Sequence, residues 1–163
     1  MNTKITAYGS KKFLGLSFAP LANDEKKKIY TVPPLLRNVV KNLTVSNEGA
    51  WLCYLTHYRL ADEIAVWHLH NPDVKIDCFW DHPEIKETFE YSPNLTFHPI
   101  DAVKYLDKMS KCAGLISTAG FESVAEAMYL GKPVMMVPVP NHVEQMINAF
   151  DGERAGADRK SVV

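Results

Sequence analysis

From residue 50 onward, short apolar runs alternate with segments whose apolar residues recur every three to four positions. No other feature constrains the fold of this chain as strongly. "AWLCYLTH" (50–57) predicts a buried strand, and "LADEIAVWHLH" (60–70) predicts a helix with Leu60, Ile64 and Trp67 at helical spacing. "VKIDCFW" (74–80), bounded by Asn71-Pro72-Asp73, and "LTFHPI" (95–100) predict two more strands. "DAVKYLDKMSKC" (101–112) predicts a helix with Asp101 as its N-cap. Strands over 113–117 and 133–139 then alternate with helices over 121–130 and 141–150. Such alternation gives βαβ units, and right-handed crossovers place helices on both faces of a parallel sheet. The expected class is α/β: a Rossmann-like parallel sheet flanked by helices over residues 49–163.

Residues 1–32 follow another pattern and are expected to be the tail of a preceding domain or an extension. "FLGLSF" (13–18) can form one strand. Residues 33–48 read as a linker, in which Pro33-Pro34 enforces an extended chain and a short helix is expected from Leu35.

Composition narrows the function. With 47% apolar residues the chain can bury a sizeable core, and a net charge of -1 gives no basic surface for nucleic acid. Lys26-Lys27-Lys28 is the one basic run, and nothing amphipathic flanks it, so it reads as a solvated loop. Cys53, Cys78 and Cys112 have no CxxC spacing and are expected to be buried, reduced thiols in a cytoplasmic protein. Apolar runs fall far short of the roughly 18 residues a membrane span needs. His68 and His70, two apart on a helix, face different directions, and no metal site is expected. The chain has neither a G-x-S-x-G elbow nor a GxxxxGK[ST] loop.

In parallel α/β sheets ligands bind beyond the carboxyl ends of the strands. Of the loops there, 117–123 carries the most chemistry. Gly120 permits close backbone approach, the following helix offers free N–H groups and a positive dipole end, and Ser123 adds a hydroxyl. Glu122 and Glu126 are four apart on one helical face. They can complement the helix dipole, or Glu126 can accept two hydrogen bonds from a ribose diol one turn behind a phosphate site. The second loop is "VPNHVEQMINA" (139–149). Asn141 and Glu144 fit a capping box, which leaves Gln145 and Asn148 unexplained. Thr56 ends the first strand, where a hydroxyl can meet a phosphate.

The stretch "STAGFESVAEAMYLGKPVMMVPVPNHVEQMINAFDGERAG" resembles the carboxyl-terminal donor-binding domain of GT-B glycosyltransferases. It is similar to the bacterial lipid II GlcNAc transferases and to the signature box of plant UDP-glycosyltransferases. Gly120, Ser123, Glu126, Gly131-x-Pro133, Pro138, Glu144-Gln145, Asn148-Ala149 and Gly156 fall in that family's order and spacing. The resemblance implies that Glu126 holds the donor ribose. It implies that Gly120, Phe121 and Ser123 cradle the diphosphate, that Thr118 belongs to the donor-binding set, and that Thr56 meets the phosphates. It further implies that Ile100 reads the base through its backbone, usually uracil, and that Glu144 and Gln145 contact the transferred sugar. Two departures stand out: plant enzymes carry a histidine at the position of Thr118, and the first-strand loop lacks their glycines.

By the same resemblance the substrate is a nucleotide sugar, expected to be a UDP-sugar. Neither a metal nor another cofactor is implied, and the catalytic base is expected on a missing acceptor-binding domain. That domain is expected in cis or as a separate subunit, with peripheral membrane association of the full enzyme. The donor domain itself is expected to be truncated at its end. The "VPPLLR" linker favours a fragment of a single-chain enzyme over a natural half-enzyme, and such a piece alone is expected to be inactive. Two alternatives are a non-catalytic nucleotide-sugar-binding subunit and a UDP-sugar 2-epimerase. The epimerase would want a Ser-Gly-Gly element where this chain has Ala119-Gly120-Phe121.

Overall fold

The computed structural model describes residues 9–55 and 58–159. Thr56 lies outside them. Two short strands, β1 (Phe13–Leu16) and β2 (Ile29–Val32), pair in parallel as a separate ribbon. An extended segment follows, closing in a single 3-10 turn at Val40–Asn42. The helix expected from Leu35 does not form, because Pro33-Pro34 holds the chain extended and leaves too little length for a stable helix.

The α/β part contains β3 (Trp51–Tyr54), α1 (Leu60–His70), β4 (Ile76–Trp80), β5 (Phe89–Ser92), β6 (Leu95–Pro99) and α2 (Ala102–Lys111). It continues with β7 (Gly114–Ser117), α3 (Phe121–Tyr129), β8 (Val134–Met136), α4 (Val143–Arg154) and β9 (Asp158–Arg159). The sheet order is β5-β6-β4-β3-β7-β8-β9. Every pairing is parallel except β5 with β6. Without the antiparallel edge β5, the order is that of the doubly wound nucleotide-binding sheet, and it reverses between β3 and β7.

Alternation along the central strands feeds two cores, one on each sheet face. Leu52, Phe79, Leu115, Val134 and Met136 pack against Leu106 and Met109 of α2, Val124 and Ala127 of α3, and Ala149 of α4. On the other face Cys53, Ile76, Cys78, Trp80, Leu95 and Phe97 pack with Ala61 and Ile64 of α1. Phe79 and Phe97 are almost wholly buried, each contributing roughly 1.5–3 kcal/mol. All three cysteines are buried and unpaired by disulfides. Beside α1, over β7 and β8, a groove of ≈ 730 Å³ is lined by Ile64, Trp67, Ile116, Met135 and Val137.

The helix ends explain two glycines of the 113–157 stretch. At the end of α3 the Gly131 N–H reaches the Met128 carbonyl and the Lys132 N–H reaches that of Ala127, with Gly131 at φ 68°. The end of α4 repeats this with Gly156 at φ 101° and Ala157. Both close in a left-handed turn that disfavours any residue with a Cβ. Lys132 then turns inward, and its Nζ donates to the Cys112 carbonyl at 2.7 Å and to the Ser46 carbonyl. This fastens the 43–48 stretch to the domain.

The ribbon is held by α4. Asp151 accepts from Ser17 Oγ at 2.8 and 2.9 Å and from the Phe18 N–H at 2.7 Å. The Phe18 ring stacks on Phe121 at 4.3 Å.

Candidate functional site at the sheet reversal

Where the strand order reverses, the loops after β3 and β7 diverge and leave a crevice. A cavity of ≈ 190 Å³ opens there, lined by Leu55, Thr118, Val139 and Pro140 with Leu60 and Glu63 of α1. The loop from β7 to α3 forms one wall. Ser117 Oγ is buried with no hydrogen-bond partner among the described residues. Thr118 is buried as well, and Ala119 carries the left-handed turn at φ 63°. That conformation is rare for alanine, and the Ala119 carbonyl is clamped by Asn148 Nδ2 at 3.0 Å.

Gly120 is the N-cap of α3, at φ -66° and with no side-chain cap. A Cβ built on Gly120 meets nothing within 4 Å, so the glycine leaves open space over the helix N-terminus. The N–H groups of the first turn and the aligned peptide dipoles make such an end attractive to an anion. Phe121 gives its backbone to this turn while its ring packs on Phe18. Ser123 lies beside the Tyr105 phenol, whose pKa burial pushes well above its usual value while Ser123 pulls it down.

Glu126 follows about one and a half turns into α3 and is only 2% exposed. Its two oxygens face Arg37, with Nε on Oε1 at 2.6 Å and Nη2 on Oε2 at 2.6 Å. The Arg37 side chain is 46% exposed. The hydrogen bonds Arg37 donates to Glu126 raise the guanidinium pKa against the opposing effect of burial, and Glu122 adds to this through charge.

The second wall is the start of α4. Its N-cap is His142, whose Nδ1 accepts from the Gln145 N–H at 3.3 Å, not Asn141 as the capping-box spacing predicts. Asn141 instead adopts φ 65° as part of the turn. Gln145 is buried and its Oε1 accepts from the Val139 N–H at 2.8 Å. Gln145 and Asn148 therefore brace the two loops that form the crevice. Glu144 is exposed in the first turn of α4. Ile100 is 48% exposed at the carboxyl end of β6, just before Asp101, which caps α2 by accepting from Val103 and Lys104 N–H at 2.9 Å.

Thr118, Gly120, Phe121, Ser123 and Glu126 thus gather around one helix start, with Gln145 bracing it and Ile100 on the same edge of the sheet. Arg37 and Phe18 come from outside the α/β region, and no spacing rule links them to residues so distant in sequence. Among the described residues no cluster of three metal-ligating side chains occurs, and no helix is long and apolar enough to cross a membrane.

Comparison with known proteins identifies the family of this fold. A family model described as glycosyl transferase family 1 matches residues 4–161. The UDP-N-acetylglucosamine--N-acetylmuramyl-(pentapeptide) pyrophosphoryl-undecaprenol N-acetylglucosamine transferase of Lactobacillus delbrueckii subsp. bulgaricus is 42% identical over 64 residues, covering 36% of this chain and 17% of the relative. The protein of the same name from Thermotoga maritima is 32% identical over 90 residues, covering 46% and 26%. The glycotransferase of kitacinnamycin superposes with a TM-score of 0.58 at 18% identity, over 85% of this chain and 37% of that one. Spinosyn forosaminyltransferase SpnP superposes with a TM-score of 0.53 at 16% identity, over 91% and 41%. The chain matches well under half the length of each of these proteins. With its doubly wound sheet and a family match over nearly all of its residues, the chain belongs to glycosyl transferase family 1, as a GT-B glycosyltransferase domain.

Proposed function

We propose that this chain is the donor-binding half of a GT-B glycosyltransferase and that its donor is a UDP-sugar. One observation carries the reading: a buried carboxylate, Glu126, sits inside a helix whose uncapped N-terminus opens at the sheet reversal. An anion-binding helix end followed by a carboxylate fits a diphosphate and the ribose attached to it. The relatives named for a UDP-N-acetylglucosamine donor support the choice of nucleotide.

In the reaction an acceptor hydroxyl attacks the anomeric carbon of the bound sugar. A carbon–oxygen bond forms to the acceptor, the bond to the diphosphate breaks, and the nucleoside diphosphate departs with the electron pair. The hydroxyl proton goes to a base on the acceptor-binding domain, in cis or on a separate subunit. Within this chain, Gly120, Phe121 and Ser123 receive the diphosphate at the start of α3, where the dipole opposes the growing negative charge. Thr118 approaches the phosphates, Ile100 presents its backbone to the base, and Glu144 and Gln145 contact the sugar.

Calorimetric titration of the chain with UDP, dTDP and GDP tests the reading. UDP is expected to bind most tightly, and GDP binding equally well would overturn the base assignment. Glu126→Ala is expected to weaken UDP binding about tenfold or more, the net worth of charge-assisted hydrogen bonds. Glu122→Ala, one turn earlier on the same face, is the control; it touches Arg37 only through charge and is expected to change affinity less than about twofold. Equal affinities for both variants and the parent would remove the ribose assignment.

A further inference from the structure

The carboxylate that should receive the ribose is already occupied. Arg37 spans both oxygens of Glu126 in a fork at 2.6 and 2.6 Å. The carboxylate is 2% exposed under this cover, whereas the arginine side chain is 46% exposed. A diol cannot reach either oxygen of a group so enclosed while the fork stays in place. Arg37 belongs to the extended 33–37 segment, which contributes no strand or helix that would hold its side chain rigidly.

We infer that Arg37 is an internal competitor for the ribose site, a guanidinium that must release Glu126 before a nucleotide diol can bind. The inference rests on the ribose reading of Glu126 given above. Two chemical facts make the exchange feasible. The fork engages both oxygens, and at 2% exposure their remaining lone pairs have no open approach, so the bidentate pair and the diol exclude each other sterically. The released guanidinium also remains beside an acidic helix face, with Glu122 close enough to influence it by charge, and its half-exposed side chain can be hydrated. Arg37 therefore acts as a selectivity determinant. A ligand lacking the diol binds without displacing it and gains nothing from Glu126. A ligand with the diol gains only the surplus of its own hydrogen bonds over the ion pair.

The test isolates the diol. Affinities for UDP and 2′,3′-dideoxy-UDP are measured calorimetrically on the 163-residue chain, and their ratio is taken for each variant. Any direct effect of Arg37 on the phosphates cancels in this ratio. The parent is expected to prefer UDP by about tenfold. In Arg37→Gln the preference is expected to grow roughly tenfold further, because the carboxylate is then free. Arg37→Lys keeps a charge but cannot span both oxygens, and it is expected to fall between the two. Thermal unfolding of each variant checks folding; should Arg37→Gln not fold, the lysine variant carries the comparison. A ratio in the folded variants equal to or below the parent's overturns the competitor role, and a fall toward unity would show instead that Arg37 positions the carboxylate for the ribose. Glu126→Gln in the Arg37 background separates the two levels. If it leaves the parent ratio untouched, the ribose reading fails and takes this inference with it. If it abolishes the ratio while Arg37→Gln leaves it unchanged, the competitor role alone fails.

Discussion

Asp77 shows how one buried charge can be worth keeping in the core of this domain. It lies on β4, buried, and its Oδ1 takes a hydrogen bond from His98 Nε2 at 2.7 Å while Lys108 Nζ reaches Oδ2 at 2.9 Å. Burial works against its charge, yet the bonds from His98 and Lys108 outweigh that and hold its pKa below the usual aspartate value. A group whose pKa is lower folded than unfolded adds stability above its unfolded pKa. That stability is lost as pH falls through the folded value. Asp77→Asn is therefore expected to cost about 1–3 kcal/mol at neutral pH. The gap to the parent should close as pH drops below about 4, the unfolded value. Urea unfolding of both proteins from pH 2 to 7 measures this, and a gap independent of pH would refute the ion-pair account. At the crevice, Asn148→Ala should destabilise the Ala119 turn by about 1 kcal/mol and, on the proposal that this loop receives the diphosphate, lower UDP affinity as well. Titration with UDP on the folded variant checks the second effect, and unchanged affinity would limit Asn148 to packing.

The elements most legible in the sequence were those buried on two sides. β3, β4, β6 and β7 are apolar runs because both faces meet a core, and the helices between them carry apolar spacing or an N-cap such as Asp101. β2, β5 and β9 escaped because they are short edge or ribbon strands; β5 is mostly exposed and shows no apolar run. The α4 N-cap was misread because a capping box scores only spacing, whereas the tight turn at Asn141 moves the cap to His142. Gly120, Glu126 and Gln145 could be picked out from local pattern. The partners of Glu126 and Phe121 could not, because Arg37 and Phe18 lie far away along the chain and meet them only through tertiary packing. At element scale the left-handed stop of α3 is the plainest test. Gly131→Ala should cost roughly 1–2 kcal/mol and lower the unfolding midpoint by a few degrees, with nucleotide affinity unchanged. An unaltered midpoint would mean that α3 can end without the left-handed residue.

Across the whole molecule the ribbon, the extended segment and the α/β domain are joined by few but specific ties. Asp151 is the anchor of the ribbon, so Asp151→Ala should leave the Phe18 N–H without its acceptor and Ser17 Oγ with the Ala19 carbonyl alone. Amide exchange is expected to quicken across residues 13–32 while β3 and β7 keep their protection. Uniform loss of protection would show that the ribbon and the domain unfold as one unit. These ties also set a timetable for synthesis. Ser17 lies 134 residues before Asp151, and Arg37 lies 89 before Glu126. A ribosome delivers the ribbon first and its anchor on the order of ten seconds later. Until then a two-stranded pair has nothing to dock on and is too small to hold by itself. β1 and β2 are thus made well before α4 yet settle only once it exists to hold them.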